Sequence, residues 1–248
     1  MVTYRSMSTE TVTLLGHNGD KIDAYVAHPD GPAPRAGVIV VHHMPGWDEW
    51  SMEVVRRLAH HGYTAICPNL HHRQGPGTAD EMSVRVRDDG GQRDEFVLGD
   101  LLSAEAYLRG LDTSNDRVGI IGFCSGGRVV YMAACKMPSL DAAVDCWGGN
   151  VVSPPFEPTP NQPETIFDMT PSMEVPLLGI FGNDDKNPSP TDVDAMDAEL
   201  TRLGKEHEFH RYDGAGHGFF AWERGGYRPE QAVDAWGKVW EFYERHLG

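Results

Sequence analysis

Short apolar runs alternate with longer amphipathic stretches along most of this chain. The apolar runs are too short for helices and are bounded by Gly, Pro, Asn or Asp, so each predicts a buried strand. Between them, apolar residues recur every three or four positions, which predicts helices. After an initial hairpin, the predicted strands are Gly37–His42, Gly62–Pro68, Arg117–Phe123, Ala142–Trp147, Val175–Gly182 and His207–Tyr212.

The order of these segments predicts one α/β domain over residues 1–248. The predicted helices are Asp48–His61, Arg93–Leu111, Gly126–Cys135, Pro190–Leu203 and Pro229–His246. Strands that alternate with helices of this length form a doubly wound, mostly parallel sheet with helices on both faces. The pair Thr11–Leu15 and Lys21–His28 flanks an Asn-Gly turn signal, so we expect an antiparallel hairpin at the start.

Two stretches interrupt this alternation. Residues 69–89 are rich in Gly, Arg, His and Asp, which predicts a loop. Residues 151–171 are rich in Pro and are long for a connection inside a compact domain. Connections of that length are often functional, so we interpret residues 151–171 as a lid-like loop over the site.

Composition narrows the classes of function. The chain carries a net charge of −16 without a basic stripe, which argues against nucleic-acid binding. It has no apolar run of about 18 residues and no apolar signal-peptide core, so we expect no membrane partner and a cytoplasmic location. Four well-separated cysteines without a C-x-x-C pair argue against a zinc ribbon or a disulfide framework.

The segment Gly122-Phe123-Cys124-Ser125-Gly126-Gly127 joins a predicted strand to a predicted helix. A sharp turn between these elements needs very small residues two positions before and two after its apex. Cys124 satisfies this spacing, whereas a frame centred on Ser125 would need glycine where Phe123 stands. The helix N-terminus would favour an anionic sulfur, so Cys124 is a candidate nucleophile. The alternative is a small buried thiol.

A nucleophilic thiol needs a base and a group that orients the base. Asp184 and Asp185 follow the strand Val175–Gly182, and His217 stands between glycines after the strand His207–Tyr212. Alone, such an aspartate is usually a turn residue and such a histidine a surface residue. In the order nucleophile, acid, histidine, each after a strand, they predict a catalytic triad.

In these three motifs the chain resembles the dienelactone hydrolase family of the α/β-hydrolase fold, and the resemblance extends from about residue 11 to the C-terminus. It implies a small lactone or related ester as substrate, with Cys124 as nucleophile, His217 as base and Asp185 as its orienter. The family pattern places the acid three residues after Gly182, which favours Asp185 over Asp184. The leading hypothesis is a cofactor-independent hydrolase.

An acyl-transfer site also needs N–H donors for the oxyanion. The backbone N–H of Ser125 is one candidate, and the resemblance implies that of Met44 as the second. In the family a glutamate precedes this donor, whereas this chain has His43, which supplies no fixed negative charge. Two arginines that bind the substrate carboxylate in the family are also unmatched, since Arg85, Arg87 and Arg224 do not fall on the pattern.

Several alternatives stay open. We expect His43, Trp47, Trp147 and Phe219 to line the substrate pocket, although the aromatic residues could equally pack in the core. The twelve histidines include adjacent pairs, but neighbours on a strand point to opposite faces, so no metal site is predicted. The chain could also be a non-catalytic binder of the same fold or a redox-active cysteine protein. We expect a small-molecule partner and a monomer or small homo-oligomer.

Overall fold

The structure, a computed structural model, describes residues 6–152 and 159–248. Its strands are β1 (Met7–Leu15), β2 (Lys21–Pro29), β3 (Arg35–Val41), β4 (Thr64–Pro68), β5 (Ser114–Phe123), β6 (Ala142–Cys146), β7 (Leu177–Gly182) and β8 (His207–Tyr212). Its α-helices are α1 (Glu49–His60), α2 (Ala79–Asp88), α3 (Asp94–Arg109), α4 (Ser125–Lys136), α5 (Pro190–Arg202) and α6 (Pro229–Leu247). Short 3₁₀ helices cover His17–Gly19, His72–Gln74 and Ile166–Ser172.

The strands form an eight-stranded sheet in the order β1-β2-β4-β3-β5-β6-β7-β8. The predicted hairpin is present, with β1 antiparallel to β2 and Leu15 opposite Lys21. Strand β2 is also antiparallel to β4, whereas β3 and β4, β6 and β7, and β7 and β8 are parallel pairs. The predicted fold class, an α/β fold with a mostly parallel sheet and an antiparallel N-terminal pair, is confirmed.

The chain divides into two compact units. The first unit runs to Ile120 and includes Thr159–Pro163, and the second unit holds the rest of the chain from Ile121 onward. In the first unit, α1 and α3 pack on β3 and β4 around fully buried Ile39, Leu58 and Leu101. In the second unit, α4 and α6 pack on β6 around fully buried Val130, Val144 and Val239. The single domain over residues 1–248 stays a prediction.

The loop predicted over residues 69–89 is wrong for Ala79–Asp88, which form α2. The side chain of Thr78 accepts a hydrogen bond from the Glu81 N–H, and the Glu81 carboxylate accepts one from the Thr78 N–H. This capping box satisfies two amide groups that have no partner inside the helix. The helix buries only Met82, Ser83 and Val86, so its polar composition obscured the helical pattern.

The lid predicted over residues 151–171 includes residues 153–158, which lie outside the described residues. Part of the described remainder is fixed to α4, because the Tyr131 hydroxyl and the Thr170 hydroxyl are 2.9 Å apart. The Thr170 hydroxyl also donates to the carbonyl of Phe167 at 2.6 Å. The lid role therefore stays a prediction. Among the described residues, no helix is both long and apolar enough to cross a membrane.

We expect Thr78→Ala to lower the free energy of unfolding by about 1 kcal/mol, because the substitution removes the N-cap acceptor of α2. Urea denaturation measures this change. Val84→Ala, an exposed position in the same helix, is the control and should stay within about 0.5 kcal/mol of the wild type. An unchanged midpoint for Thr78→Ala would show that the capping box does not stabilise α2.

Candidate active site

Cys124 stands at the apex of the turn between β5 and α4, with φ 57° and ψ −119°. A residue with a side chain adopts a positive φ only where its surroundings hold it there. The Cys124 N–H donates to the carbonyl of Cys146 at 3.0 Å, and the Cys124 carbonyl accepts the N–H of Gly127 at 2.9 Å. A Cβ on Gly122 would lie 2.2 Å from the carbonyl oxygen of Gly126, so only glycine fits there.

His217 contacts Asp185 and not Asp184. The distance from His217 Nδ1 to Asp185 Oδ2 is 2.8 Å, and the Asp185 side chain is almost fully buried. The other oxygen of Asp185 accepts the N–H of Asn187 at 3.0 Å. Asp184 is exposed, and its N–H donates to the carbonyl of Ala215. Both oxygens of Asp185 thus have partners, which hold the carboxylate in one orientation.

The loops after β7 and β8 approach each other closely. A Cβ on Gly182 would lie 2.2 Å from the carbonyl oxygen of Ala215. The Asn183 amide donates to the carboxylate of Asp213 at 2.6 Å. Gly214 and Gly218 have φ of 71° and 75°, a region that glycine enters without strain. This packing brings His217 to the carboxylate that follows the neighbouring parallel strand.

The surroundings of His217 favour its charged form. Burial alone would lower its pKa, but hydrogen bonds to Asp185 and Cys124, together with their negative charges, raise the pKa of His217 to about 10. The folded-state pKa exceeds the ordinary value of 6.5, so this stabilisation is complete below about pH 6.5 and is lost as pH rises through about 10. At neutral pH the imidazolium lies between a carboxylate and the Cys124 sulfur, where it also stabilises a thiolate.

The other three cysteines have different surroundings. Burial raises the pKa of Cys67, Cys135 and Cys146, to about 12 for Cys135. All three thiols are buried, whereas Cys124 is half-buried. Protonated, enclosed thiols are poor nucleophiles, so reactivity should be confined to Cys124.

Trp147 and Phe219 both lie in the second unit, among aromatic side chains. The Trp147 ring is T-shaped to His217 with centroids 6.5 Å apart, and it packs against Phe219 and Phe220 at 5.3 Å and 5.0 Å. Trp147 is 2% exposed and Phe219 is fully buried. Phe219 therefore packs in the core, the alternative given above, whereas Trp147 also contacts the histidine. Sequence reasoning did not single out Asn187.

His43, Met44 and Trp47 belong to the first unit. His43 Nε2 and Asp48 Oδ2 are 2.6 Å apart, and the His43 ring packs on Trp50. Burial alone would raise the pKa of Asp48, but the hydrogen bond from His43 lowers it to about 2. The Trp47 indole donates to the carbonyl of Cys67 at 2.9 Å. The pocket roles of His43 and Trp47 and the oxyanion role of Met44 stay predictions.

The remaining candidates from the sequence are a metal site, the paired histidines and the unmatched arginines. Within the residues that the structure describes, no group of three or more His, Cys, Asp or Glu could hold a metal ion. His42 lies in the first unit, where burial lowers its pKa to about 4, so it is neutral. The exposed Arg85 donates to the carbonyls of Gln74 and Pro76. Arg224 is exposed beside Glu223.

A mostly parallel eight-stranded sheet with a sharp turn from strand to helix after β5 is typical of the α/β-hydrolase class. A model of the dienelactone hydrolase family matches residues 22–247. The chain belongs to this family of carboxylic ester hydrolases.

Similar proteins cover nearly the whole chain. A Synechocystis protein provisionally assigned as a carboxymethylenebutenolidase is 30% identical over 97% of this chain and 98% of its own length. A Bradyrhizobium protein provisionally assigned as a 2-oxo-3-(5-oxofuran-2-ylidene)propanoate lactonase is 30% identical, with the same shares covered. The crystal structure of a Klebsiella pneumoniae protein provisionally assigned as a dienelactone hydrolase has a TM-score of 0.87 and 30% identity, covering 96% of this chain and 99% of that one.

We expect Asp185→Asn to lower kcat by about 10³- to 10⁴-fold, because an amide neither stabilises the imidazolium nor keeps the imidazole tautomer. Asp184→Asn is the matched control and should retain nearly full activity, since Asp184 is exposed. Steady-state hydrolysis of an aryl ester measures both variants. Equal losses in the two would contradict the pairing of Asp185 with the base.

We expect iodoacetamide to alkylate wild-type Cys124 at a nearly constant rate from about pH 6 to pH 9, because the imidazolium stabilises the thiolate throughout this range. His217→Ala removes this charge. The alkylation rate of this variant should therefore decrease as the pH is lowered below about 8.5, the ordinary pKa of a thiol. Mass spectrometry of the Cys124 peptide measures both rates. The same pH profile for the two proteins would count against an ion pair.

Proposed function

We propose that this protein hydrolyses a small lactone or activated ester without a cofactor, with Cys124 as nucleophile, His217 as general acid and base, and Asp185 as the group that orients His217. One observation carries the proposal: a single imidazole is hydrogen-bonded to Asp185 and to Cys124. In a triad the base has these two neighbours, one on each ring nitrogen.

The first half of the reaction opens the ester. The Cys124 thiolate attacks the carbonyl carbon, and the carbonyl electrons move to the oxygen to give a tetrahedral oxyanion. The intermediate collapses to a thioester as the ester C–O bond breaks, and the His217 imidazolium gives its proton to the leaving oxygen. For a lactone, this oxygen stays attached to the acyl group.

The second half releases the acid. Neutral His217 takes a proton from water, and the hydroxide formed attacks the thioester carbon. The second oxyanion collapses with breakage of the C–S bond, which restores the thiolate beside the imidazolium. Asp185 keeps its hydrogen bond to Nδ1 throughout, which holds the proton on that nitrogen.

Both oxyanions need N–H donors in place before the reaction. Ser125 is the first residue of α4, so its N–H has no acceptor within the helix and is available to an oxyanion at Cys124. The positive end of the helix dipole adds to this stabilisation. The backbone N–H of Met44 is our predicted second donor.

The choice of nucleophile favours an activated ester. A thiolate is a better leaving group than a simple alkoxide, so with an unactivated ester the thioester forms only as fast as His217 protonates the leaving oxygen. An enolate or phenolate leaves more easily and lets the thioester form. The relative assigned as a lactonase of a furanylidene compound supports this class, because ring opening there releases an enolate.

The two alternatives receive less support. A binder that has lost catalysis has no need of a histidine paired with both a buried carboxylate and a thiol, as His217 is. A redox-active cysteine would share the stabilised thiolate, but it would not require an oriented base for proton transfer.

We expect Cys124→Ala to lower turnover of enol lactones and aryl esters by about 10⁴-fold or more, because no nucleophile replaces the sulfur. Cys124→Ser should also be severely impaired, since an alcohol is much harder to deprotonate than a thiol. Release of the acid or phenol by the purified proteins measures the effect.

Cys135→Ala, which removes a buried thiol from α4, is the control and should retain turnover. Wild-type turnover in Cys124→Ala would rule out the proposed nucleophile. A wild-type protein that forms a stable Cys124 oxidation product, yet hydrolyses no ester, would favour the redox alternative.

A further inference from the structure

Asp145, the fourth residue of β6, is a fully buried carboxyl group that the proposed reaction does not use. Its Oδ1 accepts the N–H of Gly148 at 2.8 Å, and its Oδ2 has no hydrogen-bond partner among the described residues. Burial raises the pKa of Asp145 to about 7. A buried carboxyl with one unpaired oxygen costs stability, so its position calls for a functional reason.

The carboxyl group lies against the first turn of α4. A Cβ on Gly127 would lie 2.3 Å from Asp145 Oδ1, so this oxygen touches the helix backbone directly. The Gly127 N–H in turn donates to the Cys124 carbonyl. On the strand side, the carbonyl of Cys146, the next residue, accepts the Cys124 N–H. Asp145 is thus connected to Cys124 through two neighbours, Gly127 on the helix side and Cys146 on the strand side, and each of them forms one backbone hydrogen bond with Cys124.

The same carboxyl group supports residues 147–150, which we call the Trp147 turn. Trp147 and Asn150 have positive φ values of 45° and 56°, which are strained for residues with side chains. The bond to Asp145 holds this turn at Gly148. At its other end, Asn150 and Asn187 exchange two hydrogen bonds of 3.1 Å.

These bonds connect the Trp147 turn to the histidine and its acid. The ring of Trp147 packs edge-on against His217. The N–H of Asn187 donates to Asp185, which binds His217. Any shift of the turn would therefore move the surroundings of the base.

We propose that Asp145 is a positioning residue, which aligns Cys124 with His217 by fixing the first turn of α4 against the Trp147 turn. The inference rests on the proposed function of Cys124. Asp145 touches no reacting atom, so its effect passes through the backbone. The essential feature of Asp145 is the hydrogen-bond acceptor Oδ1. A neutral side chain that offers an acceptor at the same place should therefore perform the same role.

The test compares two substitutions of Asp145. We expect Asp145→Asn, which keeps the acceptor for Gly148, to retain kcat for an aryl ester within about threefold of the wild type. Asp145→Ala lacks this acceptor, so kcat should fall by at least about tenfold, with KM within about threefold, because small displacements of reacting groups are costly. Should Asp145→Ala not fold, Asp145→Val, which also lacks the acceptor, takes its place.

Val144→Ala is the matched control, because Val144 is also fully buried on β6 and points to the opposite face of the sheet. It should lower the Tm without lowering kcat by more than about threefold, since its side chain points away from the face of the sheet that carries Asp145. If Asp145 had only a structural role, kcat would decrease together with the Tm in all variants, including Val144→Ala. Wild-type kcat in Asp145→Ala, or equal losses in Asp145→Asn and Asp145→Ala, would overturn the proposal.

A second measurement separates this inference from the proposed function. The rate at which iodoacetamide alkylates Cys124 requires no ester turnover, and Cys124→Ala supplies the background. We expect slower alkylation at pH 7 in Asp145→Ala than in Asp145→Asn. Turnover that survives in Cys124→Ala would refute the hydrolytic role of Cys124, whereas equal alkylation rates in the two Asp145 variants would refute the positioning role.

Discussion

The candidate active site depends on one backbone constraint, the positive φ of Cys124. This conformation is unfavourable for a residue with a side chain, so the surrounding backbone must hold it. The Cys124 N–H donates to the carbonyl of Cys146, and the Cys124 carbonyl accepts an N–H from the first turn of α4. Gly122, which has no side chain, leaves room for the backbone of Gly126. The strain therefore places the sulfur at a helix N-terminus, where a thiolate is most favoured.

The charge state of His217 depends on this position of the Cys124 sulfur. His217 is charged at neutral pH because hydrogen bonds to Asp185 and Cys124 and their negative charges outweigh burial, which alone would lower its pKa. The loops that follow two parallel strands bring His217 to Asp185, since parallel strands end at the same edge of a sheet. Family membership thus identifies a hydrolase, and the site geometry places a charged His217 beside Asp185 and Cys124.

Features that cost stability gather around this site. Cys124, Trp147 and Asn150 have positive φ, and Asp145 is a buried carboxyl with an unpaired oxygen. Proteins keep such local costs where function needs a fixed geometry. Elsewhere among the described residues, Asn18 and Asp116 also have positive φ, and buried hydroxyls of Thr64 and Ser83 lack a hydrogen-bond partner. The contacts of Asp145 with the first turn of α4 and with Gly148, more than its cost alone, support a functional role for this residue.

The sequence by itself determined most elements, the elbow at Cys124 and the order of the candidate triad, because glycine spacing and apolar periodicity act over a few residues. It missed α2, whose polar surface hid its period although Thr78 and Glu81 form a capping signal. The family resemblance favoured Asp185 over Asp184, and the tertiary structure shows the contact of Asp185 with His217; only the tertiary structure revealed the contacts of Asn187 and Asp145. These contacts join segments up to 37 residues apart, and their geometry follows from how strands and turns pack, which no local pattern encodes.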